Sequence, residues 1–397
     1  MVDINHLPIR TMNISQRIAA SAPLATTAMH GRVEAMKLAG QDVIDFSIAI
    51  SHFPAPPAVL AAVQAGLERS ALPYTAVGGA HAVRRRLAAK VRVENGIDAT
   101  ADEIIVTNGA KHALYQTLYV LTDPGDTIIV LRPHWPAYVT TAELLGLRPV
   151  LIDQPATLDA AFMAALPPAR ILVINSPHNP TGKVYTKAEL VLLRTWLAHN
   201  DCCAIVDEGY EKLVFEGEHA SLAACPDWRQ LGIVTLYSAS QGHAMMGWRA
   251  GFAVAPAAVI VAMETLQGPI TAAASALTQI AVEAAFASPD PVAMRNDYRQ
   301  RRDALVAQLA GLPWLTMASP CSGPYLWADI STLTRDTHAF AEALLEQQKV
   351  AIMPGEALGQ AGWIRLGYIG DDMATVSEGV SRLIAFGTAL AAAGAAG

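Results

Sequence analysis

The sequence predicts an α/β protein with a mainly parallel β-sheet between layers of helices, together with a second, smaller α/β domain. Five short segments are almost entirely apolar, which is typical of strands buried on both faces of a parallel sheet. Helical patterns such as AELVLLRTWLAHN (188–200) separate these segments, and this alternation indicates β-α-β units. After about residue 290 the pattern changes to a helix, then PYLWADIS, WIRLGYIG and a final helix. The predicted strands are EIIVT (103–107), TIIVL (127–131), ILVIN (171–175), CAIVDE (203–208) and IVTLYS (233–238).

Polar and glycine-rich residues follow four of these predicted strands. Open α/β sheets bind their ligands beyond the carboxyl ends of the strands, so we expect the four loops to form one site. The loops are NGAK (108–111), RPHW (132–135), SPHNPTG (176–182) and SASQG (238–242).

The same pattern predicts the domain organisation. The length of 397 residues accommodates one large domain and one smaller domain. We expect residues 1–50 to form an N-terminal arm and part of the small domain. Residues 51–288 are expected to form the large domain, and residues 289–397 the small C-terminal domain.

Composition narrows the classes of function. Hydrophobic residues make up 52% of the chain and charged residues 16%, as in a well-buried globular protein. The net charge of -7, without a long basic run, argues against a nucleic-acid partner. No apolar stretch of about 18 residues lacks charges and prolines, so no membrane-spanning helix is predicted. The four cysteines, including the adjacent Cys202 and Cys203, have no metal-type spacing and indicate a reduced, cytoplasmic protein without a metal.

Three motifs follow one another in the second half of the predicted large domain. NSPHNPTG spans residues 175–182, VDEGYE contains Asp207 and Tyr210, and SASQGHAMMGWRAGF spans residues 238–252. This series resembles the class I/II aminotransferases (aspartate-aminotransferase-like) of fold type I, which use pyridoxal 5'-phosphate. The resemblance extends over nearly the whole chain, and it implies a mainly parallel sheet of the seven-stranded type between helices in the large domain. It implies pyridoxal or pyridoxamine 5'-phosphate as cofactor, and an α-amino acid and a 2-oxo acid as substrates.

The resemblance implies a group of residues that bind the phosphate of the cofactor. A phosphate dianion requires donors from loops and from the start of a helix, and the fork of an arginine suits it well. The matching tyrosine, Tyr74 in PYTAVGG, reaches the phosphate of the neighbouring subunit in this family, which implies a homodimer with shared active sites. The other implied phosphate ligands are Gly109, Ala110, Lys111, Ser238, Ser240 and Arg249.

Other residues are implied to bind the ring and the substrate. Asp207 would keep the pyridine nitrogen protonated, so that the ring acts as an electron sink. Asn179 and Tyr210 would bind the ring hydroxyl, and Trp135 would stack on the ring. Arg365 in WIRLGY matches the arginine that binds the substrate α-carboxylate, and an arginine in an apolar strand is costly unless paired. The implied substrate-binding residues are Arg365, Ala49, Trp135 and Asn179; Ala49 stands where the family has a glycine.

The third motif departs from the family pattern S-x-S-K-x5-G-x-R-x-G at one position, because Gln241 stands in place of the Schiff-base lysine. That lysine links the cofactor covalently and then moves a proton. A glutamine amide is neither nucleophilic nor basic, so we expect the cofactor to be held non-covalently. His52, His134, His178 and His243 fall in loops assigned to the site, and His243 is the first candidate for a replacement base.

Three functions are compatible with the sequence. The first is an aminotransferase whose lysine has been replaced by glutamine. The second is a natural lysine-free enzyme that uses another base for related amino-acid chemistry. The four histidines in the site loops favour it, as does segment 48–53 (IAISHF), which differs from the sequence usual in the family. The third is a non-catalytic cofactor-binding protein, against which the joint presence of Asp207, Tyr210, Arg249 and Arg365 argues. A cofactor-sensing transcription regulator is disfavoured, because no DNA-binding domain fits before residue 50.

Overall fold

The structure is a computed structural model, and it describes residues 13–19, 21, 23–69 and 72–395. Its α-helices are α1 (Gln16–Ala19), α2 (Ala25–Leu38), α3 (Pro57–Glu68), α4 (His81–Asn95), α5 (Ala110–Leu121), α6 (Pro136–Leu144), α7 (Ala160–Ala164), α8 (Lys187–His199), α9 (Ala239–Gly242), α10 (Ala257–Thr271), α11 (Ala276–Ala287), α12 (Val292–Leu309), α13 (Thr337–Gln348) and α14 (Met373–Ala395). Its strands are β1 (Ile44–Asp45), β2 (Ile104–Thr107), β3 (Thr127–Arg132), β4 (Arg148–Asp153), β5 (Ile171–Asn175), β6 (Cys203–Asp207), β7 (Ile233–Ser238), β8 (Gly251–Val254), β9 (Tyr325–Asp329), β10 (Val350–Ala351), β11 (Met353–Pro354) and β12 (Trp363–Gly367). None of the described helices is both long and apolar enough to cross a membrane.

A seven-stranded sheet lies in the region predicted as the large domain, with the strand order β2-β8-β7-β6-β5-β3-β4. The pairs among β3, β4, β5, β6 and β7 are parallel, as the sequence predicts. β8 was not among the predicted strands, and it runs antiparallel to both β2 and β7. The chain turns back directly through residues 239–250 instead of crossing a face of the sheet, so β8 has the reverse direction.

Both faces of this sheet are buried, because successive residues of each strand point to opposite sides. In β5, Leu172 and Ile174 pack into the core on one face, while Ile171 and Val173 pack into the core on the other. Leu87 of α4 and Leu190 of α8 cover the first face, and Leu114 of α5 and Met263 of α10 cover the second. Each fully buried Leu or Ile side chain contributes about 1.5–3 kcal/mol, so these nearly continuous apolar strands stabilise a two-sided sheet.

The predicted helix at 188–200 corresponds to α8, and its start has a local cause. Thr186 precedes the helix and accepts a hydrogen bond from the Glu189 backbone N–H at 3.2 Å. The Glu189 carboxylate accepts one in return from the Thr186 backbone N–H at 2.9 Å. Such a reciprocal cap satisfies donors that the first helical turn leaves free and contributes about 1 kcal/mol.

The C-terminal region has its own antiparallel sheet in the order β11-β12-β9, together with α12, α13 and α14. β1 pairs in parallel with β10, with Ile44 opposite Val350, so the N-terminal segment joins the C-terminal region. Phe46 and Ala49 belong to the same core cluster as Leu326 of β9. The prediction that residues 1–50 complete a small domain stays a prediction, and this pairing supports it. Residues 1–12 of that segment lie outside the described part of the chain.

Candidate active site

A cavity of about 250 Å³ lies beyond the carboxyl ends of β5, β6 and β7, where the four polar loops meet. Residues from the large-domain loops and from β9 and β12 of the C-terminal sheet line it, together with residues of the N-terminal segment. The lining residues are Thr26, Thr27, Ile48, Ala110, Lys111, Trp135, Tyr138, Asn175, Asn179, Asp207, Gly209, Tyr210, Ser238, Ser240, Gln241, Met246, Arg249, Tyr325 and Arg365. Most of the site residues expected from the sequence are therefore in one place.

One end of the cavity has the properties of an anion site. α5 begins there at Ala110, and the preceding Gly109 has a φ of 80°, a left-handed conformation that suits glycine. A Cβ at Gly109 would lie 2.8 Å from Nη2 of Arg249, so the glycine allows the guanidinium to approach the helix start. Lys111 adds a second cation beside Arg249. Among the described residues neither cation has a carboxylate within ion-pair distance, so this end of the cavity fits a phosphate dianion.

Ser238 and Ser240 close the same end of the cavity, between β7 and the short helix α9. The Ser238 hydroxyl oxygen accepts a hydrogen bond from the Ser240 backbone N–H at 3.1 Å. Arg249 stands at a φ of 52°, and its Nη1 donates to the Met246 carbonyl at 2.9 Å. These contacts orient the side chains expected to bind phosphate before any ligand is present.

A buried carboxylate lies in the middle of the cavity wall. Asp207 ends β6 opposite Asn175 of β5. Its Oδ2 accepts a hydrogen bond from the Tyr138 hydroxyl at 2.7 Å, and its Oδ1 accepts one from the Gly209 N–H at 3.0 Å. Burial raises the pKa of Asp207, and the two hydrogen bonds oppose that effect by stabilising the charged form. A protonated pyridine nitrogen would be a matching partner for this carboxylate.

The other end of the cavity contains a guanidinium without an acidic partner. Arg365 is 2% exposed; Nη1 donates to Asn179 Oδ1 at 3.1 Å and Nη2 donates to the Ser47 carbonyl at 2.8 Å. Its guanidinium carbon lies 4.2 Å from the centroid of the Tyr325 ring. Its Nε has no hydrogen-bond partner among the described residues. A buried cation costs several kcal/mol unless an anion balances it, so this arrangement fits the carboxylate of a ligand.

Asn179 and Tyr210 connect this guanidinium to the middle of the site. The Asn179 amide nitrogen lies 3.5 Å from the Tyr210 hydroxyl, and that hydroxyl lies 3.3 Å from the Tyr325 hydroxyl. Burial raises the pKa of Tyr210 well above its usual value, so it remains a neutral donor. The group can bind an oxygen atom of a ligand ring next to the carboxylate site.

Gln241 lies in α9 and lines the cavity. Its amide nitrogen donates to the carbonyl of Ala49 at 3.4 Å, and its amide oxygen is buried without a partner among the described residues. Ala49 is buried beside the cavity. The side chain at position 241 therefore joins the large domain to the N-terminal segment and brings no amine into the site.

The structure does not place the candidate histidines in the cavity wall. His243 follows α9 and points away from the cavity, where it packs edge-on against Phe286 at 4.9 Å between ring centroids. Both of its ring nitrogens are buried without partners, and burial lowers its pKa to about 4. His52, His134 and His178 do not line the cavity either. The expectation that His243 acts as the base is corrected on this geometry, because His243 lies just past the end of α9 and its ring packs against Phe286 instead of facing the cavity.

Three other expected residues stand outside the cavity wall, each for a different reason. Gly109 lies next to the Arg249 guanidinium of the anion site. Ala49 accepts a hydrogen bond from Gln241, which does line the cavity. Tyr74 is 94% exposed and lies beside Leu72 in a surface depression. An exposed tyrosine there cannot contact the phosphate site of its own chain.

Sequence reasoning missed some lining residues. Thr26 and Thr27 come from α2 and Ile48 from the segment after β1; the sequence resembles the family in this region, but none of the three residues was singled out as a site residue. Tyr138 is another residue of this kind, and its hydroxyl donates to the Asp207 carboxylate. The spacing of Tyr138 from Trp135, three residues along a helix that begins at Pro136, was the available signal.

Comparison with known proteins decides the family. The family model described as Aminotransferase class I and II matches residues 41–383. The chain belongs to this family. It is 33% identical to an aspartate aminotransferase of Geobacillus stearothermophilus over 94% of this chain and 99% of that protein. It is 34% identical to an arginine–pyruvate transaminase of Pseudomonas aeruginosa, over 91% of this chain and 94% of that protein.

A solved structure agrees with this assignment. The aspartate aminotransferase of Thermus thermophilus with maleate superimposes with a TM-score of 0.89 at 31% identity, covering 95% of this chain and all of that one. The predicted α/β fold of type I is thereby confirmed, as are the enzyme class, a pyridoxal-phosphate-dependent aminotransferase, and pyridoxal 5'-phosphate as cofactor. Lys111 and Arg249 fit the phosphate of that cofactor, and Asp207 fits its ring nitrogen.

Proposed function

We propose that this chain binds pyridoxal or pyridoxamine 5'-phosphate non-covalently and acts on an α-amino acid, with transamination impaired by Gln241. The single observation that carries the proposal is the position of Gln241 in the wall of an otherwise complete cavity. An amide at this point fills space and donates a hydrogen bond to Ala49. It neither attacks an aldehyde nor accepts a proton, and loss of a general base costs about 10²–10⁴-fold in rate.

The residues around the cavity supply binding and orientation without position 241. Lys111 and Arg249 would hold the phosphate, Asp207 the ring nitrogen, and Asn179 with Tyr210 the ring hydroxyl. Trp135 would stack on the ring. When bound, the cofactor ring accepts the electron pair that a broken bond leaves on the substrate Cα. The chain's contribution is to hold the ring and the amino acid in register and to exclude water.

We propose that the substrate binds through its α-carboxylate at Arg365, as a member of the class of α-amino acids, with a 2-oxo acid as the counterpart. Tyr138 and Tyr325 line the cavity, which supports a neutral or aromatic side chain. Phe53 and Trp327, two nearby aromatic residues, do not line it; Trp327 stacks on Trp363.

Two versions of this function remain, and they differ in the proton carrier. In the first, the chain is an aminotransferase that has lost its base with the lysine. In the second, it is a lysine-free enzyme with another base for related chemistry. The placement of His243 outside the cavity removes the first candidate for that base.

We also propose a homodimer in the cytoplasm. An exposed Tyr74 beside the exposed Leu72 is consistent with a residue that completes the phosphate site of the partner subunit. Free Cys202, Cys203, Cys225 and Cys321 are consistent with a reducing compartment. Light scattering that gives the mass of one chain would contradict the dimer proposal. Unchanged phosphate affinity in Tyr74→Phe, at concentrations where dimers form, would contradict the shared phosphate site.

The test of the proposed function compares the natural chain with Gln241→Lys and Gln241→Met. The methionine variant keeps the side-chain length without an amine and serves as the matched control. All three proteins are loaded with pyridoxal phosphate, treated with borohydride and digested for mass spectrometry. We expect all three to bind the cofactor, but only Gln241→Lys to carry it covalently at position 241 and to gain transamination.

Two outcomes would overturn the proposal. One is absence of cofactor binding by the natural chain in excess pyridoxal phosphate. The other is transamination by the natural chain as fast as by Gln241→Lys. The lysine-free version of the function is supported if the natural chain, but not Gln241→Lys, converts an amino acid to a product other than its keto acid.

A further inference from the structure

The segment after β1 places an isoleucine in the cavity wall beside the proposed carboxylate site. Ile48 lines the cavity and directly follows Ser47, whose carbonyl accepts a hydrogen bond from Nη2 of Arg365 at 2.8 Å. An α-amino acid carries its side chain on the carbon next to its carboxylate. A substrate held by Arg365 therefore brings its side chain into the part of the cavity that Ile48 lines.

The backbone around Ile48 is held in place from two sides. The Gly367 N–H of β12 donates to the Phe46 carbonyl at 2.7 Å, and the Ser47 N–H donates to the Asp45 carboxylate at 2.9 Å. A Cβ at Gly367 would lie 2.8 Å from the carbonyl oxygen of Ile48, so β12 packs directly against this segment. A β-branched side chain is in addition stiff at χ1. The wall formed by Ile48 therefore has little freedom to give way to a large ligand.

The cavity offers limited room for a substrate. Its volume of about 250 Å³ is below the range of about 300–1,000 Å³ that is usual for ligand sites. The phosphate and the ring of the cofactor occupy part of that volume before an amino acid enters. The space left beside Ile48 therefore suits a small side chain.

The charges of the cavity wall disfavour a second carboxylate on the substrate. The cations that line the cavity are Lys111, Arg249 and Arg365. Lys111 and Arg249 stand at the anion end, where the phosphate would bind, and Arg365 is assigned to the α-carboxylate. A second carboxylate beside Ile48 would lose its hydration without gaining a cation among the described lining residues. An uncharged side chain avoids this cost.

The aromatic residues of the wall are already engaged with other groups. The guanidinium carbon of Arg365 lies 4.2 Å from the centroid of the Tyr325 ring and covers one face of it. Tyr138 donates its hydroxyl to Asp207, and its ring meets that of Trp135 edge-on at 5.4 Å between centroids. An aromatic substrate would have to displace one of these contacts in order to stack, so the wall favours small aliphatic side chains over aromatic ones.

We propose that Ile48 determines the substrate specificity of this site, which takes α-amino acids with a small uncharged side chain. This inference rests on the proposed function and narrows the neutral side chains that the site admits. The rigid isoleucine sets the length of side chain that fits, and the lack of a further cation excludes dicarboxylic amino acids.

The test uses a series of straight-chain amino acids in which each member adds one methylene: alanine, 2-aminobutyrate, norvaline and norleucine. Each is titrated into the cofactor-loaded protein, and Kd is obtained from the cofactor absorbance. In the natural chain we expect affinity to fall beyond 2-aminobutyrate. In Ile48→Ala each methylene should instead raise affinity by about fourfold, because the added apolar surface is buried without a clash. Norleucine should therefore gain about 10- to 200-fold over the natural chain, and alanine should change by less than about threefold.

Two further variants control for effects on folding. Ile50→Ala makes the same truncation two residues further on, at a side chain that is 40% exposed and does not line the cavity, so its profile should match that of the natural chain. Ile48→Val removes a single methyl group and replaces the alanine variant if that variant does not fold. It should move the preferred side chain by about one methylene.

Three results would overturn the proposal. The first is the same dependence on side-chain length in the natural chain and in the Ile48 variants. The second is binding of aspartate more than tenfold tighter than of its neutral isostere asparagine, which would require a cation at the side-chain site. The third is tighter binding of phenylalanine than of 2-aminobutyrate by the natural chain. If the cofactor-loaded natural chain binds none of these amino acids, the proposed function itself is refuted, and this inference with it.

Discussion

Replacing Arg365 with methionine should separate ligand binding from stability. In a structural ion pair, loss of one buried partner destabilises a protein by about 3–5 kcal/mol. Arg365 has no such partner among the described residues, and its two hydrogen bonds go to the uncharged oxygens of Asn179 and Ser47. The variant therefore removes a cation that the ligand-free protein buries at a cost.

The magnitude follows from opposing contributions. Removing the uncompensated charge recovers several kcal/mol of desolvation, while the two oxygens left without a donor cost about 1–3 kcal/mol each. We expect these to cancel within about 1 kcal/mol, which corresponds to a change in melting temperature of about 4 °C or less. Binding of a carboxylate loses a buried, charge-assisted pair of about 2–5 kcal/mol, or about 30- to 4,000-fold in Kd.

The assay titrates amino acids into cofactor-loaded protein and follows the cofactor absorbance. The matched ligand is the amine that lacks only the α-carboxylate, for which Arg365→Met should change Kd by less than about threefold. Thermal melting of the cofactor-free proteins gives the stability comparison. A fall of 10 °C or more in melting temperature, or equal loss of affinity for the amino acid and for the amine, would refute the assignment of Arg365 as a ligand-binding cation.

Further predictions concern the carboxylate, the anion site and the buried histidine. Tyr138→Phe removes a donor to Asp207, so the pKa of that carboxyl should rise. As the pH is lowered, the variant should therefore lose cofactor affinity at a higher pH than the natural chain does. The cofactor Kd measured across pH tests this, and the same pH profile for both proteins contradicts it. Gly109→Ala should weaken phosphate binding at least tenfold and destabilise the fold by about 1–3 kcal/mol, because it places a Cβ at positive φ against Arg249; unchanged binding of inorganic phosphate would show otherwise. His243→Leu should retain cofactor binding and stability at pH 7.5. Burial lowers the pKa of His243 in the folded protein to about 4, so the natural chain should lose stability as the pH falls below about 6.5 and towards 4. The leucine variant should lose less stability over this range. An equal fall in the melting temperatures of the two proteins over this range would contradict this.

The sheet was predictable wherever strands are buried on both faces. Segments such as ILVIN contain no polar residue before the end of the strand, so their amino-acid composition alone predicts that they are buried. β8, with the sequence GFAV, is only four residues long and its first two residues belong to a motif, so no pattern distinguished it from a loop. Its direction depends on the path of residues 239–250, which local sequence does not determine.

The candidate site was predictable through motifs and not through residue type. The motif order brought Asn179, Asp207 and Arg249 to one cavity. The presence of histidines in the site loops suggested His243 as the base. That prediction was wrong, because the direction of its side chain is set by packing against Phe286 and not by its place in the motif. Thr26 and Thr27 reach the cavity through long-range packing of α2, which leaves no local signature.

The reversed direction of β8 has a consequence for how this site can vary. Ser238 at the end of β7 pairs with Gly251 at the start of β8, and Thr107 at the end of β2 pairs with the same glycine. A parallel strand of four residues would begin about 14 Å away, at the far edge of the sheet. Because the end of β7 and the start of β8 lie side by side, residues 239–250 form a connecting segment that can be exchanged as a unit. This segment contains both Gln241 and Arg249. Grafting that segment between relatives would transfer the covalent or non-covalent mode of cofactor retention without altering the strands that support it.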